Sequence, residues 1–393
     1  MLNTLPAQSP DALLALIKMH AADPRPDKID LGVGVYRTNA GTTPVFASIK
    51  QAEERLIGEQ QSKSYLGPEG DMGFVDGLRP YIFGEDAAYA DRIDGMQTPG
   101  GTGAVRLAVS LAAKAGVSRF HLGVPSWPNH KQILEDVGVE VATFDHATPD
   151  GTADIDGLLD LIRKGGKGEA LLLHGCCHNP TGIDYTSEQW QQIADALASS
   201  FMLPILDIAY QGLGHGMEED VAGVRAVLAA VPEALVAYSC DKNFGLYRDR
   251  VGAFYMMAEK PEQLGDISSN ANALARANWS MPPDHGAAAV RIILEDDELT
   301  KVWLDELADM RARINRVRDR LAAADDTVPG LGLATLAHQN GLFAMLPLDK
   351  SQIDALRDDH GVYMAGSGRI NVAGLHQGNI DTFLSALSAV TKG

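Results

Sequence analysis

The middle of the chain alternates short apolar runs with stretches of helical periodicity. Four runs are clear, at residues 170–173, 203–208, 234–238 and 252–257, and each is close to continuously hydrophobic. Continuous runs of this kind belong to strands covered on both faces, so the pattern predicts an α/β domain on a mostly parallel, buried sheet. After the first run, Thr186-Ser187-Glu188-Gln189 spells a capping box. There a Thr hydroxyl and a Gln side chain satisfy each other's free N–H groups, which predicts a helix to about residue 198. Gly100-Gly101-Thr102-Gly103 precedes an Ala/Leu-rich helical stretch over 104–115.

Beyond about residue 296 the period changes. Trp303, Leu307, Met310, Ile314, Val317 and Leu321 recur at spacings of 4, 3, 4, 3 and 4. This is the apolar stripe of one long helix, packed on its own protein rather than forming a coiled coil. Strand-like runs follow near 341–346 and 361–364, and then a last helix. The predicted layout is an N-terminal arm at 1–12, a smaller α+β domain from 13–41 and 296–393, and a large domain over 42–295.

Composition narrows the class. Hydrophobic residues make up 45% and charged residues 22%, ordinary values for a globular chain. The 33 basic and 52 acidic residues give a formal charge of −19, which argues against nucleic acid as a partner because phosphate backbones need a basic face. The three cysteines, Cys176, Cys177 and Cys240, form no disulfide framework. No apolar stretch approaches membrane-spanning length, so no membrane contact is expected and the chain reads as cytoplasmic.

Two strand exits carry candidate chemistry. Lys242 follows the run 234–238; a lysine in a cavity there loses charge by desolvation and becomes a nucleophilic amine, although a lone lysine is nearly always a solvated surface group. Asp207 ends the run 203–208, where a carboxylate at the edge of a parallel sheet meets a ligand or caps a helix. His174, Cys176, Cys177 and His178 offer metal ligands within five residues, but the spacing is too tight for one ion on an extended strand and no metal is expected.

Together these segments resemble the class I aminotransferases of fold type I, the pyridoxal-phosphate (PLP) enzymes, and within them the aspartate and aromatic amino-acid aminotransferases. The matching stretches are LGVGVYR (31–37), SYLGPEG (64–70), TPGGTGAVR (98–106), PSWPNH (125–130), LLHGCCHNPTG (172–182), DIAYQGLGHG (207–216), SCDKNFGLYRDRVG (239–252), RANWSMPPDHG (276–286), NGLF (340–343) and GSGRINVAGL (366–375). The resemblance implies a fold type I transferase, with a large domain on a mixed, mostly parallel sheet flanked by helices and a smaller α+β domain. It also implies ping-pong amino transfer between amino acids and 2-oxo acids.

Under that resemblance Lys242 holds the cofactor's aldehyde and then moves a proton, and Asp207 pairs with the pyridine nitrogen, with His130 behind it. Asn179 and Tyr210 hydrogen-bond the phenolic oxygen, and Trp127 stacks on the ring. Gly101, Thr102, Ser239 and Arg250 hold the phosphate, joined by Tyr65 from a second subunit, which implies a homodimer with shared sites. Arg369 clamps the α-carboxylate and Arg276, also from across the dimer, takes a distal carboxylate. Gly34, Val35 and Phe343 line the substrate mouth, where Trp127 and Asn179 also contribute. The two arginines favour dicarboxylate exchange over another PLP reaction such as decarboxylation or elimination, and over a metal-binding or non-enzymatic role.

Three positions depart from the family pattern. Asp241 stands where the residue before the lysine is small; side chains at i and i+1 diverge on a strand, so Asp241 is expected to face solvent or a partner and to be neutral for chemistry. Met281 replaces a polar Asn beside Arg276 and is expected to widen specificity toward apolar side chains. Gly100 replaces a Ser of some relatives.

Overall fold

The computed structural model describes residues 2–7 and 12–392. Part of the predicted arm, residues 1 and 8–11, therefore lies outside the described residues. The chain divides into two compact units, one of residues 44–312 and 339–341, the other of residues 1–43, 313–338 and 342–393. The division falls inside the helix Asp297–Ala322 rather than ahead of it at 296.

The larger unit is built on a seven-stranded sheet. Its order is Ile93–Pro99, Val251–Met257, Ala234–Ser239, Leu203–Ile208, Glu169–His174, Arg119–Val124 and Glu140–Asp145. All neighbours pair in parallel except Val251–Met257, which is antiparallel to the strands on both sides. The four apolar runs are four of these strands. Ala234–Ser239 and Val251–Met257 are buried at every position, as continuous hydrophobic runs require.

The other three strands hide in less regular sequence. Glu140–Asp145 is the sheet edge and keeps charged ends in solvent. Ile93–Pro99 buries polar Gln97, whose Oε1 accepts from Asp71 N at 2.8 Å and whose Nε2 donates to Pro283 O at 2.6 Å. Pairing of that kind makes a polar residue tolerable in a core, and it depends on residues far away in the chain.

The helix Gly100–Lys114 buries Ala104, Val105, Leu107, Ala108 and Val109 completely against the sheet. At roughly 1.5–3 kcal/mol for each fully buried large side chain, burial of Val105, Leu107 and Val109 holds this helix on the sheet. It starts at Gly100 itself, so the glycine-rich segment is the first turn of the helix rather than a loop ahead of it. The Thr186 capping box forms as the sequence predicts, ahead of Ser187–Ala198.

In the smaller unit, Ile29–Asp30 pairs in parallel with Val362–Tyr363, and Phe343–Met345 pairs antiparallel with Arg369–Asn371. Helices Ala12–Ala22, Lys350–His360 and Ile380–Thr391 and the end of Asp297–Ala322 belong to it as well. Among the described residues no helix is long and apolar enough to cross a membrane.

Candidate active site

The sheet brings the candidate residues of the larger unit to one edge. Register places His174 beside Asp207, Ser239 beside Gly252, and Pro99 beside Val251. Because Val251–Met257 runs against its neighbours, its first residues lie at the carboxyl ends of the others. Arg250, just ahead of it, thus reaches the edge at which Asp207, Ser239 and the Gly100 helix terminus already meet. Gly101, Thr102, Trp127, His174, Asn179, Asp207, Tyr210, Ser239, Asp241, Lys242 and Arg250 line one cavity there.

The Lys242 amine reaches within 5.3 Å of the Tyr210 ring centroid. Burial lowers its pKa from the ordinary lysine range, against the opposing pull of Asp241 and Asp207. A lowered pKa gives a larger neutral, nucleophilic fraction. The turn that carries Lys242 is pinned from behind. Trp303 Nε1 donates to Asn243 O at 2.7 Å, and its ring stacks on Phe244 at 4.2 Å. Asn243 Nδ2 donates to Tyr238 OH, which donates to Gln211 Oε1, both at 2.8 Å.

Asp207 is buried and receives His130 Nε2 at 2.9 Å. Ser126 Oγ lies 2.9 Å from His130 Nδ1 and 3.1 Å from His174 Nε2. Burial holds His174 well below the ordinary imidazole range, so it is neutral. In the His130 tautomer that donates to Asp207, the Ser126 hydroxyl donates to His130 Nδ1 and accepts from His174, so every donor points toward the carboxylate. Asn179 Nδ2 donates to Tyr210 OH at 3.4 Å.

At the helix terminus the backbone forms a cradle. Gly100 holds φ +70°, and a Cβ there would fall 2.5 Å from Arg250 Nη2. A Cβ on Gly101 would fall 2.8 Å from Ser239 Cβ. Free N–H groups, a helix dipole and Arg250 make this a site for an anion such as a phosphate monoester. Arg250 itself sits at φ +57°, a costly backbone for a non-glycine residue, and its Nη1 also reaches Tyr247 O at 3.1 Å.

The smaller unit gathers a second set. Arg369 lies over the Phe343 ring, 4.4 Å from its centroid, and donates to Gly32 O at 3.2 Å. Asn371 Nδ2 holds the glycine-rich loop by donating to Val33 O at 2.6 Å and Val35 O at 2.7 Å. A Cβ on Gly34 would fall 2.5 Å from Phe343 Cζ, so a larger residue there would push that ring aside.

Residues 26–387 match the family model described as "Aminotransferase class I and II". The chain belongs to this aminotransferase family. It is 47% identical over 376 residues to a tyrosine aminotransferase of Rhizobium meliloti (strain 1021), covering 95% of this chain and 96% of that one. It is 41% identical over 395 residues to an aspartate aminotransferase of Escherichia coli (strain K12), covering 99% and 100%. Among solved structures it is similar to an aromatic-amino-acid aminotransferase from Burkholderia pseudomallei covalently bound to pyridoxal phosphate, with a TM-score of 0.95, 32% identity and coverage of 100% and 99%.

Two predicted residues of this aminotransferase stay away from the Lys242 cavity. Tyr65 is 92% exposed and lines a separate cleft with Met281, and Arg276 is exposed on the helix Leu264–Asn278, its Nη1 2.5 Å from Ser280 Oγ. Asp241 corrects an expectation. It is 3% exposed, lines the cavity and pairs with Arg250 Nη1. The alternation argument fails because the strand ends at Ser239 and Asp241 already lies in the turn.

Sequence reasoning also missed Ser126 and the imidazole array behind Asp207. His146 stacks on His178 at 3.5 Å, and His174 lies 4.3 Å from His178. By sequence alone His174 and His178 read as candidate metal ligands, whereas their rings pack against each other here. Cys176 and Cys177 lie with Asp220 within 4.8 Å, but the Asp220 carboxylate already accepts from the backbone N–H of Gly212, Gly214, His215 and Gly216.

Proposed function

We propose that this chain is a PLP-dependent aminotransferase that exchanges the amino group between aspartate or aromatic amino acids and 2-oxoglutarate. The observation that carries the reading is a single cavity holding a lysine of lowered pKa, a buried carboxylate with a histidine behind it, and a glycine-floored anion cradle. This donor set fits PLP: an amine for its aldehyde, an anion for its ring nitrogen and a cradle for its phosphate. Similarity to tyrosine and aspartate aminotransferases supports the substrate classes.

When bound, PLP supplies an electron sink for the pair released as the Cα–H bond breaks. Lys242 would hold the aldehyde, and its amine, once free, would take the proton from the substrate's Cα. Asp207 would pair with the ring nitrogen, with His130 donating to Asp207 and Ser126 and His174 behind that imidazole. Asn179 and Tyr210 donate to the phenolic oxygen. Trp127 covers the ring. Gly101, Thr102, Ser239 and Arg250 bind the phosphate. Arg369 takes the α-carboxylate as a bidentate pair, with Phe343 and the loop around Gly34 beside it.

Tyr65 and Arg276 act across a homodimer, Tyr65 on the phosphate and Arg276 on a distal carboxylate. The exposure of Tyr65, together with that of Leu66 in the same cleft at 41%, supports a second copy as their cover. Met281 in that cleft supports acceptance of apolar side chains. The test is a donor panel of aspartate, glutamate, tyrosine and phenylalanine against 2-oxoglutarate, with borohydride trapping of PLP. Turnover with label on Lys242 supports the reading. Protein that traps no PLP, or traps it yet moves no amino group, overturns it.

A further inference from the structure

The anion cradle contains an anion of its own. The Asp241 carboxylate shares the cavity with Gly101, Thr102, Ser239 and Arg250. A Cβ at Gly100 would touch Arg250 Nη2 at 2.5 Å and Asp241 Oδ2 at 3.4 Å, so both groups face the first turn of the helix. Asp241 Oδ2 pairs with Arg250 and the carboxylate also feels the Val251 backbone N–H, while Oδ1 is buried with no close hydrogen-bond partner. The Asp241 backbone N–H donates to Ser239 Oγ at 3.3 Å, which ties the carboxylate to the wall of the cradle. A buried carboxylate oxygen lacking a donor is costly and calls for a proton or a ligand that brings one.

We propose that Asp241 holds one proton against the cofactor's phosphate, so that this cradle takes a phosphate monoester together with a proton rather than as a free dianion. This rests on the PLP reading above. A second anion brought into one buried site raises the pKa of the pair and favours taking up a proton. On binding, a proton from solvent goes to the Asp241–phosphate pair. The Asp241 O–H donates to a phosphate oxygen, and Arg250 turns from the carboxylate to the phosphate. The other charged group acting on Asp241 is Lys242, beside it in the turn, and Lys242 in turn feels Asp207. The helix contributes no titratable side chain in its first turn, Gly100 to Gly103. Cys240 stays a neutral thiol because burial raises it well above the ordinary range. Burial likewise raises Asp241, against Lys242 and Arg250, which is the direction proton uptake needs.

The test uses pyridoxamine 5′-phosphate, which has no aldehyde for Lys242, with phosphate-free pyridoxamine as control. Binding to apo wild type, Asp241→Ser and Asp241→Asn is followed by titration calorimetry in buffers of different ionisation enthalpy. The expected result is that wild type takes up about one proton more than either variant. Its Kd would then rise about tenfold per pH unit more steeply between about pH 7 and 9, above the second phosphate pKa. Asp241→Asn keeps the side-chain shape if the serine variant folds poorly, and the wild-type proton count stands without either. Equal proton counts and parallel pH slopes would overturn the proposal while leaving the cofactor reading intact. No preference for pyridoxamine 5′-phosphate over pyridoxamine would sink the cofactor reading and the proposal with it.

Discussion

His130 and Asp207 are joined by a 2.9 Å hydrogen bond between groups that are 0% and 5% exposed. The pair reaches across 77 residues of sequence, and it gives the carboxylate a fixed donor before any ligand arrives. Removing the imidazole leaves a buried carboxylate with its donor gone. His130→Ala is expected to cost about 1–3 kcal/mol of stability, read from urea unfolding. It should also lower kcat about tenfold or more, because the Asp207 carboxylate loses the donor that fixes its position in the cavity. A wild-type kcat in a folded His130→Ala protein would contradict this.

The imidazoles behind the site make a prediction about acid. Burial lowers His146 to about 4, and it lowers His174 and His178 well below their ordinary range. Each is neutral when folded and binds a proton readily when unfolded. The unfolded chain therefore holds more protons below about pH 6.5, and stability falls as pH falls. The contribution is fully present above that pH. Below it, each histidine removes about 1.4 kcal/mol per pH unit until its folded pKa is reached. His146→Gln keeps a donor for Ile183 O, which His146 Nε2 contacts at 2.8 Å, but does not titrate. Unfolding free energies measured from about pH 7.5 to 5 should show a shallower slope for His146→Gln than for wild type. Identical slopes would rule out His146 as a source of acid sensitivity.

Gly100 tests the cradle. An alanine there meets both an unfavourable backbone at φ +70° and the Arg250 guanidinium. Gly100→Ala is expected to cost about 1–3 kcal/mol in thermal melts. It should also weaken PLP binding at least about tenfold, the loss of roughly one hydrogen bond to a charged group. Unchanged affinity measured by fluorescence quenching would mean that Arg250 does not hold the phosphate.

The two arginines separate by substrate. Arg369→Lys replaces a planar fork by a point charge, so kcat/KM should fall about tenfold to a hundredfold for every amino acid, with PLP affinity unchanged. Arg276→Ala should lower kcat/KM for aspartate by a similar factor while leaving phenylalanine within about threefold. Equal losses for both donors would remove Arg276 from distal-carboxylate binding.

Trp303 tests the support behind Lys242. Trp303→Phe keeps an aromatic face for Phe244 but leaves Asn243 O without its donor. A cost of about 1–3 kcal/mol is expected. The pH titration of the bound cofactor's absorbance should move as well, because the turn that fixes Lys242 loosens. A stability loss with an unmoved titration would confine Trp303 to packing.

The residue pattern made much of this legible. Four strands announced themselves because strands buried on both faces must be apolar throughout. The long helix was legible because a one-sided contact imposes a period of 3.6. Ile93–Pro99 was hidden because its polar Gln97 is satisfied by Asp71 and Pro283, residues distant in sequence. The sequence pattern puts the helix start after Gly103 because glycine disfavours helix interiors, but the helix begins at Gly100, where glycine permits close approach to Arg250 and Ser239.

The sequence by itself determined the α/β class, the family and most of the cavity residues, Asp241 and His174 excepted, because these depend on residue type and order. Only the tertiary structure decided which way Asp241 points, that Ser126 and His174 stand behind His130, and that Tyr65 and Arg276 stay outside the cavity of their own chain. Each of those depends on where a strand stops or on contacts between distant segments. The net charge of −19 constrained neither, since the field at a buried site is set by the few groups that line it.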